Sequence, residues 1–287
     1  MSHDVRTGAY AGKILRVNLS DGRTSTESTL DYARDWLGSA GIAIKILYDE
    51  LRPWVTPYDP ANKIVFGAGV LLGTIGPGAC KMTVSTLGPM TGGWASGASD
   101  SYVGGQLKYA GYDMLVVSGR AHEPVYLFID NDRVDLRSAA HLWGKTTSQA
   151  LQMLRDELND PSLHVLSIGP AGENLVRGAC VIQDKARAFG RCGIGAVLGA
   201  KNLKAVVVRG SGMIRVADPE RFMRISRELR QRAKIAIGTA GMRDYGSAGI
   251  LEGKQKVCGV PYKNFQETKL PDEMATAIDP RKTMDRY

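Results

Sequence analysis

Two arginines set among glycines indicate an anion site near the middle of the chain. Arg187 and Arg191 lie four positions, about one helical turn, apart in the segment A-R-A-F-G-R-C-G-I-G-A-V-L-G, residues 186–199. Glycine lets backbone N–H groups approach a ligand closely, and successive inward N–H groups form an anion-binding concavity. The guanidinium fork of arginine matches phosphate oxygens. The segment is either such a phosphate site or a glycine-rich turn with solvated arginines.

Two further glycine-rich stretches lie upstream. The first, G-A-G-V-L-L-G-T-I-G-P-G at 67–78, follows an apolar run at 64–68 but differs from a dinucleotide fingerprint in its spacing. Gly76-Pro77-Gly78 also prevents the helix that a Rossmann site needs to hold pyrophosphate, so that fold is not predicted. The second, residues 87–101, is predicted to be a loop of small residues that is either flexible or arranged around a ligand.

Composition indicates a globular chain with an anionic small-molecule ligand. The 287 residues are 44% hydrophobic and 23% charged, enough for one large domain or two ordinary ones. The net charge of +8 favours an anionic partner, but the basic residues are dispersed. Aromatic residues do not alternate with them as a nucleic-acid stacking platform requires. A phosphorylated small ligand is therefore favoured over nucleic acid.

The four cysteines, Cys80, Cys180, Cys192 and Cys258, show no C-x-x-C spacing. No complete zinc or iron–sulfur site is expected from them, and no metal ligands are assigned. The N-terminus lacks the apolar core of a signal peptide, and no apolar run is long enough to span a membrane. We expect a cytoplasmic protein with reduced thiols.

Hydrophobic periodicity predicts an α+β fold. Helices are predicted at 31–37, 42–51, 102–109, 148–158 and 219–234. Strands are predicted at 12–19, 24–28, 64–68, 81–86, 114–117, 125–129, 134–136, 164–168, 176–182 and 203–208. The elements alternate irregularly, which favours α+β over regular βαβ units. Composition changes after Gly210, so we predict one domain at 1–210 and the start of an α-helical domain at 211–287. The arginine row Arg224, Arg227 and Arg230 is predicted to be a solvated helix face.

Four motifs resemble the aldehyde ferredoxin oxidoreductase family. They are G-G-Q-L-K-Y-A-G-Y-D at 104–113, I-G-P-A-G-E-N-L-V at 168–176, R-A-x-G-R-x-G-I-G-A-V at 187–197 and K-N-L-K-A-V-V-V at 201–208. The resemblance implies two mainly antiparallel sheets that form a base for a tungsten or molybdenum bis-pterin cofactor. Family members oxidise aldehydes to carboxylates and pass electrons through a [4Fe-4S] cluster to ferredoxin. Related members are subunits that reduce benzoyl-CoA.

The resemblance also implies which residues bind the cofactor. Matching positions are Lys81, Ala98, Ser99, Asp100, Arg187, Ala188, Gly190 and Arg191. Lys81 stands where the family has an arginine between pterin and cluster. Ala98 replaces an asparagine that helps to hold magnesium, which puts a magnesium ion in doubt. Asp100 replaces a glycine, and its carboxylate would repel a phosphate unless it meets a cation or turns away.

The family's cluster motif, C-x-x-C-x-x-x-C, is expected just past Tyr287, with the acid/base residues further on. No catalytic residue is therefore assigned, and this chain alone is expected to be inactive. The chain is either an oxidoreductase module completed by a missing C-terminal portion or partner subunit, or a non-catalytic pterin-binding or assembly module. Part of a related aryl-CoA reductase is a further alternative. Ferredoxin or an iron–sulfur subunit is the implied electron-transfer partner, and a homodimer is compatible with the resemblance.

Overall fold

The computed structural model describes residues 8–284 of the chain. The polypeptide divides at Pro219 into two compact units. The first contains two six-stranded sheets, and the second is built of helices. Among the described residues, no helix combines the length and apolar character needed to cross a bilayer.

The first sheet has the strand order β2-β1-β6-β3-β4-β5. Its strands are β1 (Lys13–Asn18), β2 (Thr24–Ser28), β3 (Ile64–Ala68), β4 (Lys81–Leu87), β5 (Trp94–Asp100) and β6 (Met114–Ser118). Every neighbouring pair is antiparallel except β1 with β6, which is parallel. The apolar strand β3 is buried along its whole length, as expected for a strand covered on both faces.

The second sheet has the order β11-β10-β9-β12-β7-β8. Its strands are β7 (Val125–Asp130), β8 (Arg133–Ser138), β9 (Val165–Ser167), β10 (Val181–Gln183), β11 (Arg187–Phe189) and β12 (Leu203–Arg209). Again a single pair, β12 with β7, is parallel and the others are antiparallel. The predicted α+β class with mainly antiparallel sheets is confirmed.

The two sheets have the same connectivity. Replacing β1–β6 by β7–β12 in order converts one strand order into the other and keeps the parallel pair in the same place. We call residues 13–118 the first half and residues 125–209 the second half. The sequence motifs gave no indication of this internal repeat.

Helices follow the second and the fifth strand in both halves, and α5, between β9 and β10, has no counterpart in the first half. The first half contains α1 (Leu30–Trp36), α2 (Ala40–Glu50) and α3 (Tyr102–Tyr109), and the second contains α4 (Thr147–Glu157), α5 (Pro170–Glu173) and α6 (Ile194–Ala200). In each half the last helix, α3 or α6, connects the edge strand to the final strand. A capping box of Thr146 and Gln149 begins α4, and Ser101 caps α3 by accepting a hydrogen bond from the Gly104 N–H.

The hydrophobic core lies between the two sheets. Leu15, Phe66 and Leu115 of the first sheet join Leu127 and Val206 of the second in one buried cluster. The opposite face of each sheet is covered by a helix, α2 on the first sheet and α4 on the second. The first unit is therefore a helix–sheet–sheet–helix stack in which both sheets are covered on both faces.

Three segments differ from the sequence predictions. Residues 94–100, predicted as a loop, form strand β5, because Ala95, Gly97 and Ser99 alternate inward as small buried residues. A Cβ at Gly97 would lie 3.2 Å from Phe189 of β11, so this strand must be built of small side chains. Strand β10 is shorter than predicted, and the turn predicted at 169–174 contains the short helix α5.

The second unit begins with helix α7 (Pro219–Ile235), close to the predicted bounds. It continues through α8 (Ile237–Tyr245), a 3-10 helix (Gly246–Ile250), α9 (Leu251–Lys256), α10 (Asp272–Ala277) and α11 (Pro280–Thr283). The side-chain amide of Gln255 donates to the Leu270 carbonyl at 2.5 Å, and its oxygen accepts from the Leu270 N–H at 3.2 Å. Arg224, Arg227 and Arg230 are exposed on α7.

Candidate functional site

The edge strands β5 and β11 bring the predicted cofactor residues of the two halves together. Phe189 of β11 packs over Gly97 of β5, so the two sheet edges meet there. Asp100 ends β5 opposite Lys81, the first residue of β4. Arg187 opens β11 and reaches Asp100 across the gap. We call these three residues, Lys81, Asp100 and Arg187, the junction.

The junction is held by a carboxylate between two cations. The Lys81 Nζ lies 2.8 Å from the Asp100 Oδ1, and an Arg187 guanidinium nitrogen lies 3.6 Å from the Oδ2. Hydrogen bonds, first from Lys81 and then from Cys80, lower the pKa of Asp100. Asp100 is therefore ionised at neutral pH. Its carboxylate meets two cations, which is one of the two arrangements that would limit its repulsion of a phosphate.

Cys80 also contacts the junction. Its Sγ donates to the Asp100 Oδ1 at 3.1 Å. That hydrogen bond, with burial and the carboxylate charge, raises the pKa of the Cys80 thiol. A protonated thiol is a weak nucleophile and a poor metal ligand, so Cys80 serves as a hydrogen-bond donor.

The remaining predicted residues surround the junction. Ala98 is exposed on β5 and Ser99 is buried beside it. Ala188 on β11, Gly190 and Arg191 are all exposed. The four-residue spacing of Arg187 and Arg191 suggested that they lie one helical turn apart. Instead, Arg187 lies in a strand and Arg191 in a bend.

The four glycines of the 186–199 segment have two different roles. A Cβ at Gly193 would lie 2.0 Å from the Arg177 carbonyl oxygen, and one at Gly199 would lie 1.9 Å from that of Gly172. Gly195 is equally confined, at 2.4 Å from the Cys180 oxygen. These three glycines allow α6 to pack against protein backbone, which corrects the expectation that they all face a ligand. A Cβ at Gly190 would meet nothing closer than the Ala188 Cβ at 3.8 Å, so this glycine leaves its backbone open.

An open cleft of about 380 Å³ extends from the junction along helix α3. Asp100 and Arg187 line one part of the cleft, and Tyr102 and His164 line another. The Tyr102 and His164 rings are stacked, with centroids 4.6 Å apart and planes 15° from parallel. Sequence reasoning missed both residues. The spacing of Tyr102, Gly105, Gln106 and Tyr109 on one helix face, with a glycine in place of an apolar residue, could have indicated a cleft there.

Hydrogen bonds fix the aromatic pair from both halves. The His164 Nδ1 lies 2.9 Å from the Asp184 Oδ2, and the other carboxylate oxygen accepts from the Val165 N–H at 3.0 Å. The hydroxyl of Ser101, just before Tyr102, donates to the Gln183 side-chain oxygen at 2.6 Å. The start of α3 is thus attached to β10 of the second half.

Metal ligands are not gathered at this site. Between residues 8 and 284, no group of three or more His, Cys, Asp or Glu side chains is arranged to hold a metal ion. What the junction and cleft offer is cationic groups, open backbone at Gly190 and an aromatic surface. Such a site can bind a phosphorylated ligand that has a planar portion.

Comparisons with known proteins agree on one family. Residues 14–210 match the family model described as aldehyde ferredoxin oxidoreductase, N-terminal domain. The chain is 42% identical over 259 residues to a tungsten-containing aldehyde ferredoxin oxidoreductase of Pyrococcus horikoshii, which covers 90% of this chain and 43% of that protein. It is 32% identical over 291 residues to an aliphatic sulfonate oxidoreductase, WOR-like subunit, of Pyrococcus furiosus, with 94% of this chain and 46% of that protein covered.

A solved structure is similar over almost the whole chain. It is the active-site complex of benzoyl coenzyme A reductase with 1,5-dienoyl-CoA, 33% identical with a TM-score of 0.82. The match covers 97% of this chain and 44% of that chain. The chain therefore spans less than half the length of the relatives that it matches.

Proposed function

The chain belongs to the aldehyde ferredoxin oxidoreductase family, and on that premise we propose that it forms the cofactor-binding base of a tungsten or molybdenum bis-pterin oxidoreductase. The observation that carries the proposal is the junction, where exposed cations from both halves meet at the edge of the two sheets. The complete protein would oxidise aldehydes to carboxylates and deliver electrons to a ferredoxin-type acceptor. We take residues 1–210 as the cofactor domain and 211–287 as the beginning of a helical domain.

The residues present fit a phosphorylated pterin. Lys81, Arg187 and Arg191 supply three exposed cations against the single carboxylate of Asp100. Arginine can bind a phosphate through two parallel hydrogen bonds, and the open backbone at Gly190 allows close approach. When bound, the cofactor would supply two-electron chemistry at its metal, while these residues would hold and orient its phosphate groups.

A magnesium ion fits less well. The Ala98 methyl group offers no oxygen ligand, and both carboxylate oxygens of Asp100 already face Lys81, Arg187 or Cys80. We therefore propose that the arginines and Lys81 neutralise the phosphate charge and that no magnesium ion binds at the junction.

The cluster and the catalytic groups would come from elsewhere. We propose that a C-terminal portion of a longer protein, or a partner subunit, supplies the [4Fe-4S] ligands and the acid/base residues, with ferredoxin or an iron–sulfur subunit as the electron-transfer partner. The four cysteines of this chain are free thiols, which suits a cytoplasmic protein.

Part of an aryl-CoA reductase is the second candidate, and the structural match to benzoyl coenzyme A reductase favours it. Both candidates use the same cofactor base, so the junction does not separate them. Assays of the chain joined to its complementing portion, with an aldehyde and with an aryl-CoA thioester in parallel, would do so.

Cofactor retention tests the shared proposal. The chain and its Arg187→Lys, Arg187→Ala and Arg224→Ala variants would be co-produced with the complementing portion, and metal and pterin content measured. We expect Arg187→Ala to lose most of the cofactor, Arg187→Lys to lose part of it because it keeps charge without the fork, and Arg224→Ala to match the wild type. Full cofactor content in Arg187→Ala at unchanged thermal stability would contradict the proposal.

A further inference from the structure

The cleft beside the junction contains an aromatic surface that phosphate binding does not explain. Tyr102 is 68% exposed although its ring is stacked on His164. Stacking covers one face of the phenol ring at most, so the other face is available to a ligand. A large aromatic side chain held in place yet mostly exposed at a cleft is typical of a binding surface.

The shape of the cleft also suits a flat ligand. Tyr102, Gly105 and Tyr109 all line the cleft from α3. A Cβ at Gly105 would have no neighbour closer than 3.9 Å, so the glycine leaves free space between the two tyrosines. The Tyr109 hydroxyl donates to the Gly73 carbonyl at 2.7 Å, which fixes the far wall.

The aromatic pair is oriented before any ligand arrives. The His164 imidazole is hydrogen-bonded to the Asp184 carboxylate, which also accepts a hydrogen bond from the Val165 N–H of β9. The imidazole that supports Tyr102 therefore has a fixed orientation. A fixed stacking surface costs little conformational entropy on binding. The same cleft includes Arg187, so a ring lying on Tyr102 could carry an anionic group that reaches the junction.

We propose that Tyr102, supported by His164, is a stacking platform for a planar fused heteroaromatic ring whose attached phosphate binds at the junction. This rests on the proposed function, because a pterin is the ring that the cofactor would present. Tyr102 would contact the ring directly, and His164 and Asp184 would act as positioning residues. The ring and the phosphate would thus be bound by separate sets of residues.

Two probes measured on the 287-residue chain separate the ring site from the phosphate site. The ring probe is 6-hydroxymethylpterin, followed by its fluorescence, and the phosphate probe is inorganic pyrophosphate, followed by calorimetry. We expect Tyr102→Ala to weaken binding of the pterin about tenfold, as loss of one aromatic stacking partner does, and to leave pyrophosphate binding unchanged. Tyr102→Phe should keep pterin binding, because it keeps the ring face. Arg187→Ala should show the opposite pattern.

The outcomes test the stacking platform at Tyr102 and the phosphate site at the junction separately. Wild-type pterin affinity in Tyr102→Ala, equal losses in Tyr102→Ala and Tyr102→Phe, or no pterin binding by the wild type would overturn the platform. Undiminished pyrophosphate binding in Arg187→Ala would instead contradict the phosphate role of the junction and leave the platform standing. A His164→Ala variant that binds pterin as the wild type does would remove His164 from the proposal.

Discussion

The two halves of the first unit share a strand order, but the helices α3 and α6 that precede their final strands differ in the surroundings of their glycines. In the second half, the glycines of α6 bring the helix against protein backbone, and a Cβ at Gly199 would overlap the Gly172 oxygen at 1.9 Å. In the first half, α3 contains one confined glycine, Gly104, whose Cβ would lie 2.4 Å from the Leu72 side chain, and one glycine that lines the cleft, Gly105, whose Cβ would meet nothing closer than 3.9 Å. The glycines of α6 therefore serve close packing, whereas α3 combines one packing glycine with one that lines the cleft.

Charge is also divided unequally between the halves. The first half contributes Lys81 and the carboxylate of Asp100 to the junction, whereas the second contributes Arg187. The carboxylate of one half thus offsets part of the positive charge of the other. The difference indicates that the second half supplies most of the attraction for an anion.

The largest expected effect is the difference in stability between alanine variants of Gly199 and Gly105. Gly199→Ala should destabilise the first unit by about 3 kcal/mol or more, because its Cβ meets a carbonyl oxygen that the α5 backbone cannot easily move. Gly105→Ala should be neutral or stabilising by up to about 1 kcal/mol, since alanine is a better helix former and has room. Urea unfolding of both variants measures the difference. Similar unfolding midpoints for the two variants would remove the distinction between packing and ligand glycines.

Two buried lysines provide a second contrast, Lys108 near the end of α3 and Lys201 just after α6. Both lysines donate to two carbonyls, Lys108 of α3 to those of Ala9 and Val70 and Lys201 after α6 to those of Pro60 and Gly119. They differ in that Lys108 also lies 3.6 Å from the Asp113 carboxylate, whereas Lys201 has no ion pair among the described residues. Burial, then the nearby charges of Arg120 and Lys63, lowers the pKa of Lys201 from 10.5 to about 7, although Asp59 opposes this. Lys201 should therefore lose its proton in the folded state near neutral pH.

The expected result is a stability that rises with pH. Between about pH 7 and pH 10.5 the unfolded chain binds the proton of Lys201 and the folded chain does not. The free energy of unfolding should then rise by up to about 1.4 kcal/mol per pH unit from this group. Urea unfolding of the wild type and Lys201→Met at pH 7, 8 and 9 measures the slope, which should be smaller in the variant. An identical slope in both proteins would show that Lys201 stays protonated.

The smallest expected effect is that of Asp100→Asn on pyrophosphate affinity. Asp100→Asn should strengthen pyrophosphate binding two- to fivefold, because it frees Lys81 and Arg187 from a partly exposed ion pair worth up to about 1 kcal/mol. Calorimetry at constant ionic strength measures the change, with Asp135→Asn on β8 as a control carboxylate that also pairs with arginines. Weaker binding in Asp100→Asn would mean that the carboxylate orients the cations rather than competing for them.

Much of the fold followed from the sequence, because most strands are short apolar or alternating runs and the four motifs are long. Strand β5 was missed because its inward residues, Ala95, Gly97 and Ser99, are too small to produce a hydrophobic period. Their size is set by Phe189, a partner 92 positions later in the sequence. Periodicity cannot report a constraint that arises from so distant a contact.

The site was predictable in part. The resemblance identified Lys81, Asp100 and Arg187 one by one, but no pattern within the chain indicated that a single carboxylate would bridge the two cations. Tyr102 and His164 lie 62 positions apart, and only the pairing of the two halves brings their rings together. Sequence patterns therefore did not predict the contacts between the two halves.

We propose that the junction, and not the arginine row of α7, binds the phosphate of the ligand. Calorimetric titration of inorganic pyrophosphate into the wild-type chain, Arg187→Ala and Arg224→Ala tests it directly. We expect a loss of about tenfold to a hundredfold in affinity for Arg187→Ala, equivalent to one charged hydrogen-bond contact of about 1.5–3 kcal/mol, and no change for Arg224→Ala. Equal affinities for the wild type and Arg187→Ala, or a loss confined to Arg224→Ala, would contradict it.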